Sequence, residues 1–316
     1  MPAQPNSTAI LSIKSSSAKN SLTVSPAASI TLSQSYSTML PVRVGERVYV
    51  IAYSKEIAAG DVYLFTPGDD WLRPSGTQMT VGTGKDILNT FTLGNNPYLC
   101  TYTAQDGVFT TYGVRDDLSL SMPYAFYRSH ELAISKGFST VKFFTQLGQV
   151  VFLGYNKSNG YVATYTASIT PVSSSSGALP LVMLPIWSHP WAPGWVRFAF
   201  FQFGGENFFL KTNIGNPKNI NVNIDHLMDV ITAGTAEVGT QLNLAKAADL
   251  THVEPFMLDG DPYFAAYLSG TGELTLYRFH SDCQGWTSVA SYNAPAGASI
   301  MTPVSVSDSE AVLVFS

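Results

Sequence analysis

Only a few crowded stretches of this chain could carry chemistry. The densest is Pro185-Ile-Trp-Ser-His-Pro-Trp-Ala-Pro-Gly-Trp195, where three tryptophans, one histidine and three prolines share a single short run. Proline lacks a backbone N–H and fixes φ, so the stretch cannot be a central strand and is expected as a stiff loop. That loop would present Trp187, His189, Trp191 and Trp195. Indoles of this kind suit a flat conjugated ligand or the face of a sugar. They serve equally well as seals between packed sheets. A second group spans 124–130: Tyr124 and Phe126 extend an apolar wall, and Arg128 and His130 offer hydrogen bonds or form an exposed loop pair. Arg43, flanked by valines, reads as an inner-strand residue aimed at an axial channel or neutralised on a rim. His252, just ahead of an inner strand, is another rim group. The candidate catalytic donors are therefore Arg128, His130 and His189. The candidate ligand contacts are Trp187, Trp191, Trp195, Tyr124, Phe126, Arg43 and His252.

No metal and no cofactor is expected. Asp259-Gly260-Asp261 and Asp69-Asp70 are acidic turns without the ligand spacing of a calcium loop. G-x-S-x-G, the P-loop, H-E-x-x-H and a dinucleotide fingerprint after a strand are all missing.

What must position these residues is a repeat, clearest over 255–292. PFMLD, PYFAAYL, ELTLYRF and WTSVASY alternate as strands, joined by short Gly-rich or polar connectors. About forty residues forming four strands is the size of one β-propeller blade. Counterparts begin at Val42, Phe91, Phe144, Phe201, Phe256 and Val304, so the motif returns after about fifty residues each time, a propeller-like period. The last unit is cut short at Ser316, and the stretch ahead of Val42 is as long as the part it lacks. AILSIKS resembles ELTLYRF, and NSLTVSP resembles WTSVASY. The expectation is an all-β, six-bladed propeller of four-stranded antiparallel blades, a single domain over 1–316, with the sixth blade shared between the chain ends. Long insertions at Leu118–Gly137, Leu181–Trp195 and Asp225–Leu250 would carry function as loops, the last with a short helix at LNLAKAADL.

Composition narrows the partners. Charged residues are 12% and net charge is −5, with 17 scattered Lys and Arg, so no basic stripe supports nucleic-acid binding. No apolar run reaches the ~18 residues of a spanning helix. The start MPAQPNST reads as neither a signal nor a transit peptide, while low charge and two sequons, at Asn6 and Asn156, lean towards the secretory pathway or the extracellular space, where a leader would have been removed; a cytoplasmic location is the alternative. Cys100 and Cys283 fall three blades apart, too far for a disulfide, and are expected free. A monomer or weak dimer is expected.

The blade YFAAYLSGTGELTLYRFHSDCQGWTSV resembles the repeat of the six-bladed fungal and bacterial fucose lectins, which runs strand–turn–strand into Gly-Trp. That resemblance implies the fold. It does not bring the sugar site, because the lectin Arg and Glu fall on Phe264 and Leu276, Val50 and Leu64, Leu99 and Thr111, and Phe152 and Thr164. In size, low charge and repeat plan the chain also looks like the lectin-like fungal hetero-Diels–Alderases that join a tropolone quinone methide to a humulene-type terpene. This second resemblance implies a cofactor-free pericyclic enzyme with one apolar axial pocket and a small terpenoid or polyketide partner. Such catalysis needs two partners held in a near-attack geometry and a donor on a carbonyl oxygen. The alternative is a lectin-like, carbohydrate-binding propeller without the Arg/Glu grip.

Overall fold

The computed structural model describes residues 7–16, 21–79, 81–114, 126–146, 149–169, 181–213, 219–225, 238–243, 250–280 and 285–316. All regular elements among them are strands. The chain opens with β1 (Ser7–Ser15) and β2 (Leu22–Thr31). The first complete sheet is β3 (Thr38–Val44), β4 (Arg47–Ser54), β5 (Ala59–Thr66) and β6 (Trp71–Met79). The second is β7 (Ile87–Leu93), β8 (Asn96–Thr103), β9 (Val108–Val114) and β10 (Phe126–Ala133). The third is β11 (Thr140–Gln146), β12 (Gln149–Tyr155), β13 (Tyr161–Ile169) and β14 (Leu181–Pro190). The fourth is β15 (Trp195–Phe203), β16 (Glu206–Asn213), β17 (Asn219–Asp225) and β18 (Val238–Asn243). The fifth is β19 (Leu250–Leu258), β20 (Asp261–Leu268), β21 (Glu273–Phe279) and β22 (Trp286–Asn293), followed by β23 (Met301–Ser307) and β24 (Glu310–Phe315).

Consecutive strands pair antiparallel within each sheet. A last sheet draws on both chain ends in the order β23-β24-β1-β2, with β1 against β24 from Ala9↔Phe315 to Lys14↔Glu310. The chain divides into two compact units of three sheets each: Tyr36–Gly194, and Met1–Ser35 with Trp195–Ser316.

The six starting points of the repeat occupy one register position. Val42, Phe91, Phe144, Phe201, Phe256 and Val304 sit opposite Tyr49, Tyr98, Val151, Phe208, Tyr263 and Val312 on the second strand of each sheet. Those second strands are buried on both faces, which is why they read as unbroken apolar runs rather than as alternation. Stacked aromatic pairs tie neighbouring sheets together, such as Phe91–Phe143 at 4.3 Å between centroids and Phe201–Phe279 at 4.5 Å.

A second regularity closes each repeat. Tyr102, Tyr155 and Tyr267 end their second strands with buried rings, and each hydroxyl reaches a loop carbonyl: Ser135 at 2.7 Å, Ala192 at 2.8 Å and Pro295 at 2.5 Å. Five residues after each lies a glycine with positive φ: Gly107, Gly160 and Gly272. Their carbonyls accept the N–H of Ile134, Trp191 and Ala294, each at 2.8 Å. A Cβ at any of the three would overlap the carbonyl oxygen of that same partner. Only a residue without a side chain permits both the left-handed turn and the close approach. In the first sheet, five residues after Tyr53, the position is Ala58 at φ 55°.

Two local expectations are corrected. The Pro-rich stretch is not a loop: β14 runs through Pro185 and Pro190, with a bulge opposite Thr164/Tyr165. Its prolines are tolerated because β14 is the last strand of its sheet, where one N–H row has no ladder partner to lose. The insertion at 118–137 likewise contains β10, so Phe126, Arg128 and His130 lie on a strand. Of the expected helix, Leu242 and Asn243 belong to β18 and Leu250 to β19, and 244–249 lies outside the described residues. Cys100 is a buried free thiol in β8, and burial pushes its pKa far up; Cys283 lies outside the described residues.

Candidate functional site

Where a repeat is this regular, chemistry is best sought where one copy departs from it. On the first strand, the residue opposite the closing tyrosine position is Thr38, Ile87 or Thr140 in the Tyr36–Gly194 unit. In the other unit the same position holds Arg197 on β15 and His252 on β19. β15 and β19 pack side by side, so two basic side chains meet where the other sheets place hydroxyl or aliphatic groups. Two residues on from His252 comes Glu254.

Arg197 is electrostatically coupled to each of the other two. Burial lowers the pKa of the Arg197 guanidinium and the attraction of Glu254 raises it, although Arg197 still presents surface to solvent. Burial also lowers the pKa of His252, to about 4; a hydrogen bond to Ser299 opposes the shift and the charge of Arg197 adds to it. His252 is therefore a neutral imidazole at pH 7. Its Nε2 lies 2.9 Å from the Ser299 carbonyl oxygen, which can only accept, so Nε2 carries the proton. Nδ1 lies 3.0 Å from Thr251 Oγ1, whose own hydrogen goes to the Tyr267 carbonyl. Both ring nitrogens are engaged within the protein. The groups suited to meet a ligand are the Arg197 donors and the Glu254 carboxylate.

The neighbouring strand β16 departs from the pattern as well. Asn207 is buried in a column otherwise filled by Val48, Pro97, Val150, Pro262 and Ala311. Lys211 is buried where other sheets have Ala52, Thr101, Gly154, Ala266 and Phe315. Its Nζ lies 4.2 Å from the centre of the Trp195 ring and 5.7 Å from that of Phe209, so cation–π attraction offsets part of its desolvation. Among the described residues no cluster of three or more His, Cys, Asp or Glu could hold a metal ion.

Trp187 and His189 share a face of β14 and stack at 5.5 Å and 17°. They sit at the far edge of their sheet from the first strand β11. Trp191 follows β14; its N–H goes to Gly160 and its ring packs 6.2 Å from Tyr155, so it seals the repeat as an indole clasp. Trp195 begins β15, is buried and covers Lys211. Arg43 is exposed at the turn end of β3, at the opposite end of its strand from the Thr38 position. Tyr124 lies outside the described residues, and for Phe126, Arg128 and His130 only the backbone is described, with Arg128 opposite Tyr112 and His130 opposite Thr111. His252, by contrast, lies beside Arg197. Arg197 was missed, although Trp-Val-Arg-Phe-Ala-Phe at 195–200 sets it on an inner strand by the same argument that drew attention to Arg43.

No protein-family model and no curated protein matches this chain in sequence. Solved structures match it in shape. A Bacteroides fragilis protein provisionally assigned as a 6-phosphogluconolactonase aligns over 96% of this chain and 87% of its own, with TM-score 0.55 and 13% identity. The periplasmic gluconolactonase of Pseudomonas aeruginosa aligns over 92% of this chain and 97% of its own, with TM-score 0.52 and 11% identity. The exo-β-1,3-galactanase of Phanerochaete chrysosporium, solved with β-1,3-galactotriose, aligns over 84% of this chain and 66% of its own, with TM-score 0.52 and 9% identity. At such identities the likeness speaks to fold alone, and the fold is an all-β propeller of antiparallel sheets.

Proposed function

We propose that this propeller binds one small molecule at the β15–β19 strand ends and acts there without a cofactor. The observation that carries the reading is the grouping of Arg197, Glu254 and neutral His252 in one pair of sheets, at a position that is uncharged in the other unit. A lectin gains avidity from similar sites in several blades. An arrangement this unequal instead suits a single asymmetric ligand. Arg197 can donate to a carbonyl oxygen, and an adjacent carboxylate fixes the guanidinium without a proton transfer. That is the electrostatic help a hetero-Diels–Alder cycloaddition needs, as negative charge grows on the oxygen of a quinone methide while a terpene alkene adds to it. The six four-stranded sheets are proposed as six blades of one closed ring, with the chain ends completing the last.

A second reading has its own support. The gluconolactonase and the galactanase among the similar structures act on sugars, and Arg197 with Glu254 supplies a polar pair of the sort a sugar hydroxyl accepts from and donates to. Incubation with a tropolone quinone-methide precursor and a humulene-type alkene separates the two. A cycloadduct formed above the uncatalysed rate and in enantiomeric excess supports catalysis. A racemic product at the background rate, with calorimetric binding of a sugar or sugar lactone that Arg197→Gln abolishes, replaces it with the carbohydrate reading.

A further inference from the structure

We propose that Asn159–Gly160 is a self-modifying turn, where the asparagine side chain closes on the glycine nitrogen and yields isoaspartate at a rate governed by the segment 191–194 clasped over it. This is the sole Asn-Gly step in the chain. Glycine has no Cβ to shield its nitrogen or to restrict its rotation, so ring closure meets less steric resistance here than at any other asparagine. The matching turns carry Asp106–Gly107 and Thr271–Gly272. A carboxylate is a far poorer target for attack than an amide, and threonine offers no side-chain carbonyl at all. The reaction balances with water alone. A base takes the Gly160 amide proton, the nitrogen attacks Asn159 Cγ, and Nδ2 leaves as ammonia with a proton from water, which gives a succinimide. Water then opens the ring. Breaking the bond from the Gly160 nitrogen to Cγ gives aspartate, and breaking its bond to the main-chain carbonyl carbon gives isoaspartate, whose backbone is one atom longer.

The fold restrains the first step. Asn159 is exposed, but the Gly160 N–H donates to Asn156 O at 2.8 Å, and Asn159 Oδ1 accepts from Tyr161 N at 2.9 Å. Gly160 is buried at φ +76°, so close beneath the Trp191 carbonyl that a Cβ would overlap its oxygen. The peptide therefore cannot swing towards Asn159 Cγ until 191–194 lifts. Three bonds hold that segment down: Trp191 N to Gly160 O at 2.8 Å, Gly194 N to Lys157 O at 2.9 Å and Tyr155 Oη to Ala192 O at 2.8 Å. With the usual net contribution of each, the opened turn is rarer than the closed one by at least about 100-fold. The fold also makes the product consequential. An extra backbone atom between positions 159 and 160 displaces Gly160, and the Trp191–Gly160 bond that closes this repeat is lost with it.

Ageing the full chain in mildly alkaline buffer tests this, with isoaspartate located by methyltransferase labelling and peptide mass spectrometry. In guanidinium chloride, Asn159 should convert ahead of every other asparagine. In the folded protein the same conversion should run at least about 100-fold slower. Tyr155→Phe keeps the ring but loses one of the three bonds, and should speed the folded reaction roughly 5- to 30-fold. Asn159→Thr, which borrows the residue of the Thr271 turn, should abolish labelling at that position. Another asparagine leading in the denatured chain, equal rates in folded and denatured protein, or a Tyr155→Phe rate equal to the wild type overturns the proposal. Should Tyr155→Phe fail to fold, the wild type in rising guanidinium below its unfolding transition decides. The rate at Asn159 should climb before global unfolding begins, and a rate that stays flat until then overturns the clasp as governor.

Discussion

Gly272 gives the most quantitative test of how the repeat is held. It has φ +78°, and its carbonyl takes the Ala294 N–H at 2.8 Å. A Cβ there would run into the Ala294 carbonyl oxygen. Gly272→Ala therefore carries a left-handed penalty of roughly 1–2 kcal/mol. It also forces apart a backbone pair whose hydrogen bond contributes about 1 kcal/mol. Together these come to about 2–3 kcal/mol. In a chain of 316 residues this corresponds to a fall in Tm of about 4 °C, from the usual unfolding entropy per residue. Ala58 is the internal control, because it holds a methyl group at φ 55° in the corresponding turn. Ala58→Gly relieves the penalty at the expense of a more flexible unfolded chain and should stabilise by about 0.5 kcal/mol. Differential scanning calorimetry on the two variants and the wild type makes the comparison. A Gly272→Ala protein melting within about 1 °C of the wild type refutes the reasoning.

Other outcomes follow from the same packing. Deleting Met1–Ser35 removes β1 and β2 with Ile10, Leu11, Ile13 and Leu22, all buried. At roughly 1.5–3 kcal/mol each, their loss is comparable with the whole stability of a typical domain. Purified 36–316 should aggregate or unfold without a sharp transition, and a cooperative near-native melt would contradict the pairing of the chain ends. Tyr155→Phe deletes the hydroxyl that donates to Ala192 O at 2.8 Å and should cost about 1–2 kcal/mol in urea unfolding. Stability should also depend on pH through His252. Its folded pKa lies below its unfolded one, so the unfolded chain binds more protons between pH 6.5 and about 4. The His252 contribution is fully present above pH 6.5 and is lost as pH falls through that window, by at most about 3 kcal/mol. His252→Gln should flatten that part of the curve.

The strand architecture was largely legible in the sequence. Val42, Phe91, Phe144, Phe201, Phe256 and Val304 came from loose similarity of short motifs, and all six share one register, because a buried second strand needs an apolar run after each turn, with a glycine in the first five and none in the last. AILSIKS and NSLTVSP were readable as the strands that complete the last sheet because they alternate. What misled was proline. Pro185 and Pro190 argue against a central strand but are compatible with an edge strand, and β14 is one. With the stretch laid along an edge, Trp187 and His189 fall away from the first strands, and Trp191 and Trp195 are taken up by Tyr155 and Lys211. The Arg197–Glu254 pair was hidden for a different reason. Its members stand a whole repeat apart in the chain, in different sheets, and only the packing of β15 against β19 brings them together. His252 could be suspected from its place before a strand, but its neutral state depends on burial that no local pattern reveals.

The most direct test of the proposed site compares cycloadduct formation, in single turnover at pH 7, by the wild type, Arg197→Gln and Arg43→Gln at matched folded concentration. Both variants remove one exposed positive charge from a first strand, at opposite ends of the repeat. If Arg197 stabilises the developing oxyanion, Arg197→Gln should slow the step by about 100-fold while Arg43→Gln stays near the wild-type rate. Equal rates in all three proteins, or a loss confined to Arg43→Gln, would contradict the assignment of the site to β15 and β19.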